Sequence, residues 1–123
     1  MGSKPSLTEI KVHIREARSL ASKEWPMRQA QFYEALRAFF IGRDDEGKLY
    51  LRDVINASIG FEQLAIATGL PSKSIHRMLS KNGNPTSRNL FMLIRTIALK
   101  EGFDVRVSVG DARTTRGEAT NQQ

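Results

Sequence analysis

One stretch constrains this chain more than any other: Gln63-Leu64-Ala65-Ile66-Ala67-Thr68-Gly69-Leu70-Pro71-Ser72-Lys73-Ser74-Ile75-His76-Arg77-Met78-Leu79-Ser80. It reads as two short helices joined by a glycine turn. Leu64, Leu70, Ile75 and Leu79 are spaced to bury one shared face. Ala65 is small, so the second helix can pass close over the first. Gly69 can take the positive φ that ends a helix sharply. The residues left outward on the second helix are Ser72, Lys73, Ser74, His76 and Arg77, all able to hydrogen-bond. A dry inner face and a polar, cationic outer face at this spacing suit a helix laid in a DNA major groove.

The rest of the chain reads as helices around this pair. Ser6-Leu7-Thr8-Glu9 is a capping-box pattern, and Leu7, Ile10, Ile14, Ala17 and Ala21 recur at helical spacing behind it. A first helix is therefore expected to about Ser22, with Lys11, Arg15 and Arg18 as a cationic stripe. Trp25-Pro26 is expected to break the chain and open a second helix, because proline is tolerated in a first turn. That helix carries Phe32, Leu36, Phe39 and Phe40 and ends near Gly42. Arg43-Asp44-Asp45-Glu46-Gly47 reads as an acidic loop. A third helix is expected from about Lys48 to Ser58, with Leu51, Val54 and Ile55 inward.

After the central pair, Lys81-Asn82-Gly83-Asn84-Pro85 reads as a turn. Thr86 can cap a further helix carrying Leu90, Leu93, Ile94 and Ile97, which Gly102 ends. Phe103, Val105, Val107 and Val109 then alternate with Asp104, Arg106 and Ser108, the pattern of a half-buried strand. The tail is polar, lacks large apolar residues and is expected to be disordered. Three units follow: an N-terminal helical extension over 1–43, a core over 44–110 and a tail over 111–123. The fold class is mainly α, with one C-terminal β-strand.

Composition narrows the function classes. The chain has 123 residues, 40% hydrophobic and without cysteine, so one modest core is expected and disulfides and thiolate metal sites are excluded. No apolar run approaches the roughly 20 residues a membrane span needs. The polar start, Met1-Gly2-Ser3-Lys4-Pro5, has no signal-peptide pattern, and the expected location is the cytoplasm. The net charge of +6 favours polyanion partners. Residues 61–101 alone carry six Lys/Arg against two Asp/Glu, whereas residues 44–60 carry two against four. Catalysis fits poorly. His13 and His76 lie in unrelated segments, and no HExxH, P-loop or GxSxG pattern occurs. No cofactor or metal is expected.

From about residue 49 to 109, the sequence resembles the HigA-type addiction-module antidote proteins of the lambda-repressor-like (Xre/Cro) helix-turn-helix superfamily. Four linked pieces carry the resemblance: Leu49-Tyr50-Leu51-Arg52-Asp53-Val54; Gln63-Leu64-Ala65 with Thr68-Gly69-Leu70; Ser80-Lys81-Asn82-Gly83-Asn84-Pro85-Thr86; and the closing helix with Phe103 to Val109. Phe61 stands where the superfamily often has a glutamine touching phosphate, and Pro71 where serine or threonine usually caps the second helix. The resemblance implies a five-helix DNA-binding domain acting as a dimer. It also implies autorepression of an operon and a small RelE-like toxin as partner.

The candidate DNA-binding residues are Ser72, Lys73, Ser74, His76, Arg77, Lys81, Asn82, Asn84 and Arg88. Arg77 can take guanine through two acceptors, and Lys73 a base or a phosphate. His76 reads equally as a phosphate contact and as a surface side chain without a role. Lys81, Asn82 and Asn84 lie in the turn where the superfamily commonly meets the backbone; turn chemistry alone also explains the two asparagines. Arg88 can grip phosphate from the start of its helix. Trp25, Phe32, Phe39 and Phe40 fit core packing better than a partner stripe. Two other functions share these features: a stand-alone phage or mobile-element regulator without a toxin, and an interaction module that keeps the fold without binding DNA.

Overall fold

The computed structural model describes residues 7–113, with side chains from residue 24 onward. It is mainly helical: α1 (Leu7–Phe40), α2 (Asp44–Ala57), α3 (Phe61–Thr68), α4 (Ser72–Met78) and α5 (Ser87–Glu101). The helices enclose one core, built on Phe32 and Ala35 of α1, Leu51, Val54 and Ile55 of α2, Phe61 and Leu64 of α3, Ile75 and Leu79 at α4, and Leu93, Ile94, Ile97 and Ala98 of α5.

The expected break at Trp25-Pro26 does not occur. α1 runs unbroken through Pro26, although proline removes the bond its amide would give to the Ser22 carbonyl, at a cost of roughly 3 kcal/mol. Tertiary contacts on either side of Pro26 offset that cost. The Trp25 indole Nε1 donates to the Glu101 carbonyl at 2.7 Å. Arg28 Nε lies 2.6 Å from Glu101 Oε2, and the two side chains are only 9% and 12% exposed. The Phe103 ring packs between Trp25 and Phe32, at centroid distances of 5.2 and 5.0 Å. Trp25, Arg28, Phe32 and Ala35 recur at steps of three and four, so one stripe of α1 faces the core. Two expected N-terminal helices are therefore one. The capping box begins at Ser6, outside the described residues, as are the side chains of Lys11, Arg15 and Arg18.

Two further expectations change. Asp44, Asp45 and Glu46 form the first turn of α2 rather than a loop, because carboxylates there favour the positive end of the helix dipole. Residues 103–109 form no strand; no strand occurs among the described residues. The alternation is real, but no neighbouring strand among the described residues supplies a ladder. Phe103 turns into the core, whereas Val105, Val107 and Val109 are 46%, 73% and 93% exposed. Residues 114–123 of the tail lie outside the described residues.

The remaining boundaries follow the sequence closely. α3 ends at Gly69, whose φ of 75° is the left-handed conformation the turn requires and whose N–H donates to the Ala65 carbonyl at 2.8 Å. The Thr86 hydroxyl accepts from the Asn89 N–H at 3.1 Å and caps α5. Ala65 is half-buried and packed against the core. No described helix is long and apolar enough to cross a membrane.

Candidate nucleic-acid interface

α3 and α4 are separated by residues 69–71. The Thr68 hydroxyl donates to the Leu64 carbonyl at 2.8 Å and accepts from the Leu70 N–H at 3.3 Å, tying the turn to the helix before it. Pro71 takes the extended cap conformation, and its carbonyl accepts from Ser74 and Ile75 at 2.9 and 3.1 Å. Ile75 and Leu79 are fully buried and fix the inner side of α4.

Lys73, His76 and Arg77 are exposed, and Ser72 and Ser74 half-buried. The spacing from Lys73 to His76 and Arg77 is three and four residues, which places them on one face of α4. His76 is not a free side chain. Its ring stacks on Phe61 at a centroid distance of 3.8 Å and an interplanar angle of 16°. Phe61 therefore holds a neighbouring side chain by stacking. An aromatic three residues before the buried Leu64 was the available signal for a core role.

The turn after α4 is tightly built. Ser80 donates from both its N–H and its hydroxyl to the Arg77 carbonyl, at 3.2 and 2.7 Å. Its hydroxyl proton thus closes the helix. The Gly83 N–H donates to the Ser80 carbonyl at 3.0 Å. A Cβ on Gly83 would collide with the Arg77 carbonyl and lie 2.5 Å from that of Met78, so only glycine fits. Lys81, Asn82 and Asn84 remain exposed, as does Arg88 in the first turn of α5.

Charge separates this region from the rest. Residues 63–100 contain six Lys/Arg and no Asp or Glu. Lys73, Arg77, Lys81 and Arg88 form no ion pair among the described residues, while Arg28, Arg43, Lys48, Arg106 and Arg113 each have a carboxylate partner.

Two features escaped the sequence. Lys48 is buried, with its ammonium on the carbonyls of Lys81 and Gly83. An open groove of about 460 Å³ lies between α1, α2 and α5, walled by Leu36, Phe39, Leu90 and Phe91 and bordered by Lys81 and Asn84. Of the five aromatics of α1, Phe32 is buried and Trp25 and Phe39 are partly buried, but Tyr33 and Phe40 are 61% and 71% exposed. No family model, curated protein or solved structure matches the chain.

Proposed function

We propose that this chain is a sequence-specific double-stranded-DNA-binding transcriptional repressor with a lambda-repressor-like helix-turn-helix, in which α3 and α4 are the paired helices and α4 enters the major groove. The observation that carries the reading is the outer face of α4: Lys73, His76 and Arg77 in one exposed stripe over the buried Ile75, with Lys73 and Arg77 in no ion pair among the described residues. Lys81, Arg88 and the turn asparagines would neutralise or bond phosphates and set the register, releasing counterions. Arg77 and Lys73 would read base edges. The mechanism needs no cofactor. By resemblance, the operon regulated would be the protein's own, as the antitoxin of a type II toxin–antitoxin pair with a RelE-like toxin.

Fluorescence anisotropy against the DNA upstream of its own gene tests the reading. Arg77→Ala is expected to cost about 1–3 kcal/mol and relax discrimination at one base pair per half-site; Lys81→Ala weakens all sequences alike and lowers the salt slope by about one per half-site. Wild-type protein that binds this DNA no more tightly than random DNA, at about 150 mM salt, sinks the reading.

The repressor would act as a homodimer, with recognition helices about 34 Å apart on successive major grooves. Support comes from residues 103–109, whose exposed valines alternate with polar residues and have no ladder partner. Pairing with the same segment of a second copy would satisfy both. Val107→Pro removes a ladder donor and is expected to give monomers in sedimentation velocity, with weaker operator binding. A variant that stays dimeric places the interface elsewhere.

A further inference from the structure

Lys48 lies in α2 three and seven residues before Leu51 and Ile55, on their apolar stripe. Its side chain is only 7% exposed. Nζ donates to the Lys81 and Gly83 carbonyls, each at 2.9 Å. It also lies 3.5 Å from Asp45 Oδ1. Two of the ammonium's three protons go to these carbonyls, and the Asp45 carboxylate supplies the opposite charge beside it.

Burying an ammonium is costly, and an apolar side chain of similar length is often no worse for stability. An apolar side chain cannot hold carbonyls. The two carbonyls that Lys48 holds flank Asn82, between Lys81 and Asn84, in the turn that follows α4. The other side of that turn is fixed to α4: Gly83 donates to Ser80, Ser80 donates to Arg77, and no Cβ fits at Gly83. The turn is thus clamped between the end of α4 and a buried cation of α2.

We propose that Lys48 is a positioning residue for DNA binding: it fixes the backbone of residues 81–83 and so sets where Lys81, Asn82 and Asn84 meet phosphate. Lys48 itself touches no DNA. The inference rests on the DNA-binding reading above. It predicts that the clamp acts on phosphate contact and leaves base discrimination by Arg77 in place.

The test uses the full chain with Lys48→Met and the donor-bearing Lys48→Arg. Amide exchange by NMR, without DNA, reads the order of Asn82 and Gly83. Anisotropy over a salt series, on the DNA upstream of the gene, reads phosphate contact. Lys48→Met is expected to melt cooperatively, exchange these amides faster, bind roughly tenfold more weakly and lose about one from the salt slope per half-site, as Lys81→Ala does. Lys48→Arg restores slope and protection in part. Should Lys48→Met not fold, Lys48→Leu, which also lacks a donor, carries the same readouts. Wild-type exchange and slope in the donor-deficient variant overturn the proposal; so does an equal loss in the Met and Arg variants that follows global stability. If the wild type binds no DNA, the functional reading fails separately, and exchange alone decides whether Lys48 holds the turn.

Discussion

A chain that begins at residue 44 will not fold cooperatively. The second half of α1 is core: Phe32 is 3% exposed and Ala35 fully buried, in one cluster with Leu51, Leu64, Ile75 and Ile97. Truncating Phe32 to alanine would alone cost about 3–5 kcal/mol. Removing residues 1–43 also takes Ala35, Ala38 and the half-buried Leu36 and Phe39. It strips Trp25 from Phe103 and leaves Glu101 without Arg28. The sum exceeds the ~5–15 kcal/mol by which a domain of this kind is stable. Circular dichroism melts should show no transition for residues 44–123. The full chain, which keeps all of these contacts, should melt cooperatively. A near-native transition in the shorter chain would mean that α1 is an appendage and the core closes without it.

How far the sequence led depends on whether a feature is set locally. The ends of α3, α4 and α5 were legible to within one or two residues, because Gly69, Thr86 and Gly102 act on their own turns. The inward positions Leu64, Ile75, Leu79, Leu93 and Ile97 were legible from spacing, and all five are fully buried. The outward set on α4 followed from the same period. Pro26 misled because its local rule is outweighed by partners far along the chain, Glu101 and Phe103, that no window around it contains. The acids of residues 44–46 misled because one composition suits both a solvated turn and the first turn of a helix. Lys48 was missed because lysine reads as solvent. Its position on the stripe of Leu51 and Ile55 was the signal, and its partners, two backbone carbonyls, have no trace in residue type. The alternation of residues 103–109 was legible as chemistry, but a strand exists only with a neighbour.

The contact that outweighs Pro26 should behave as a lock on the fold and leave the proposed interface on α4 intact. Arg28 and Glu101 form a 2.6 Å pair with little exposure. Breaking such a pair from one side strands the other charge, at about 3–5 kcal/mol, and their residual contact with water puts this pair at the lower end. Glu101→Leu and Arg28→Met, each alone, are therefore expected to lower the melting temperature by about 10–20 °C for a domain of this size. The double variant removes both charges, and its two apolar side chains can pack on Trp25 and Phe103. It should recover most of the loss, since apolar replacement of a buried pair is often neutral or better. The double-mutant cycle in urea measures that coupling. Single variants as stable as the wild type would show that the pair does not hold α1 across Pro26. At a temperature where each variant is folded, DNA affinity should not change. Glu101 ends α5 and Arg88 begins it, roughly 20 Å apart along the helix, so the lock and the proposed phosphate contact lie at opposite ends. A variant that lost affinity while still folded would show that the set of α1 against α5 reaches the turn proposed to face DNA, and that the core does not insulate one from the other.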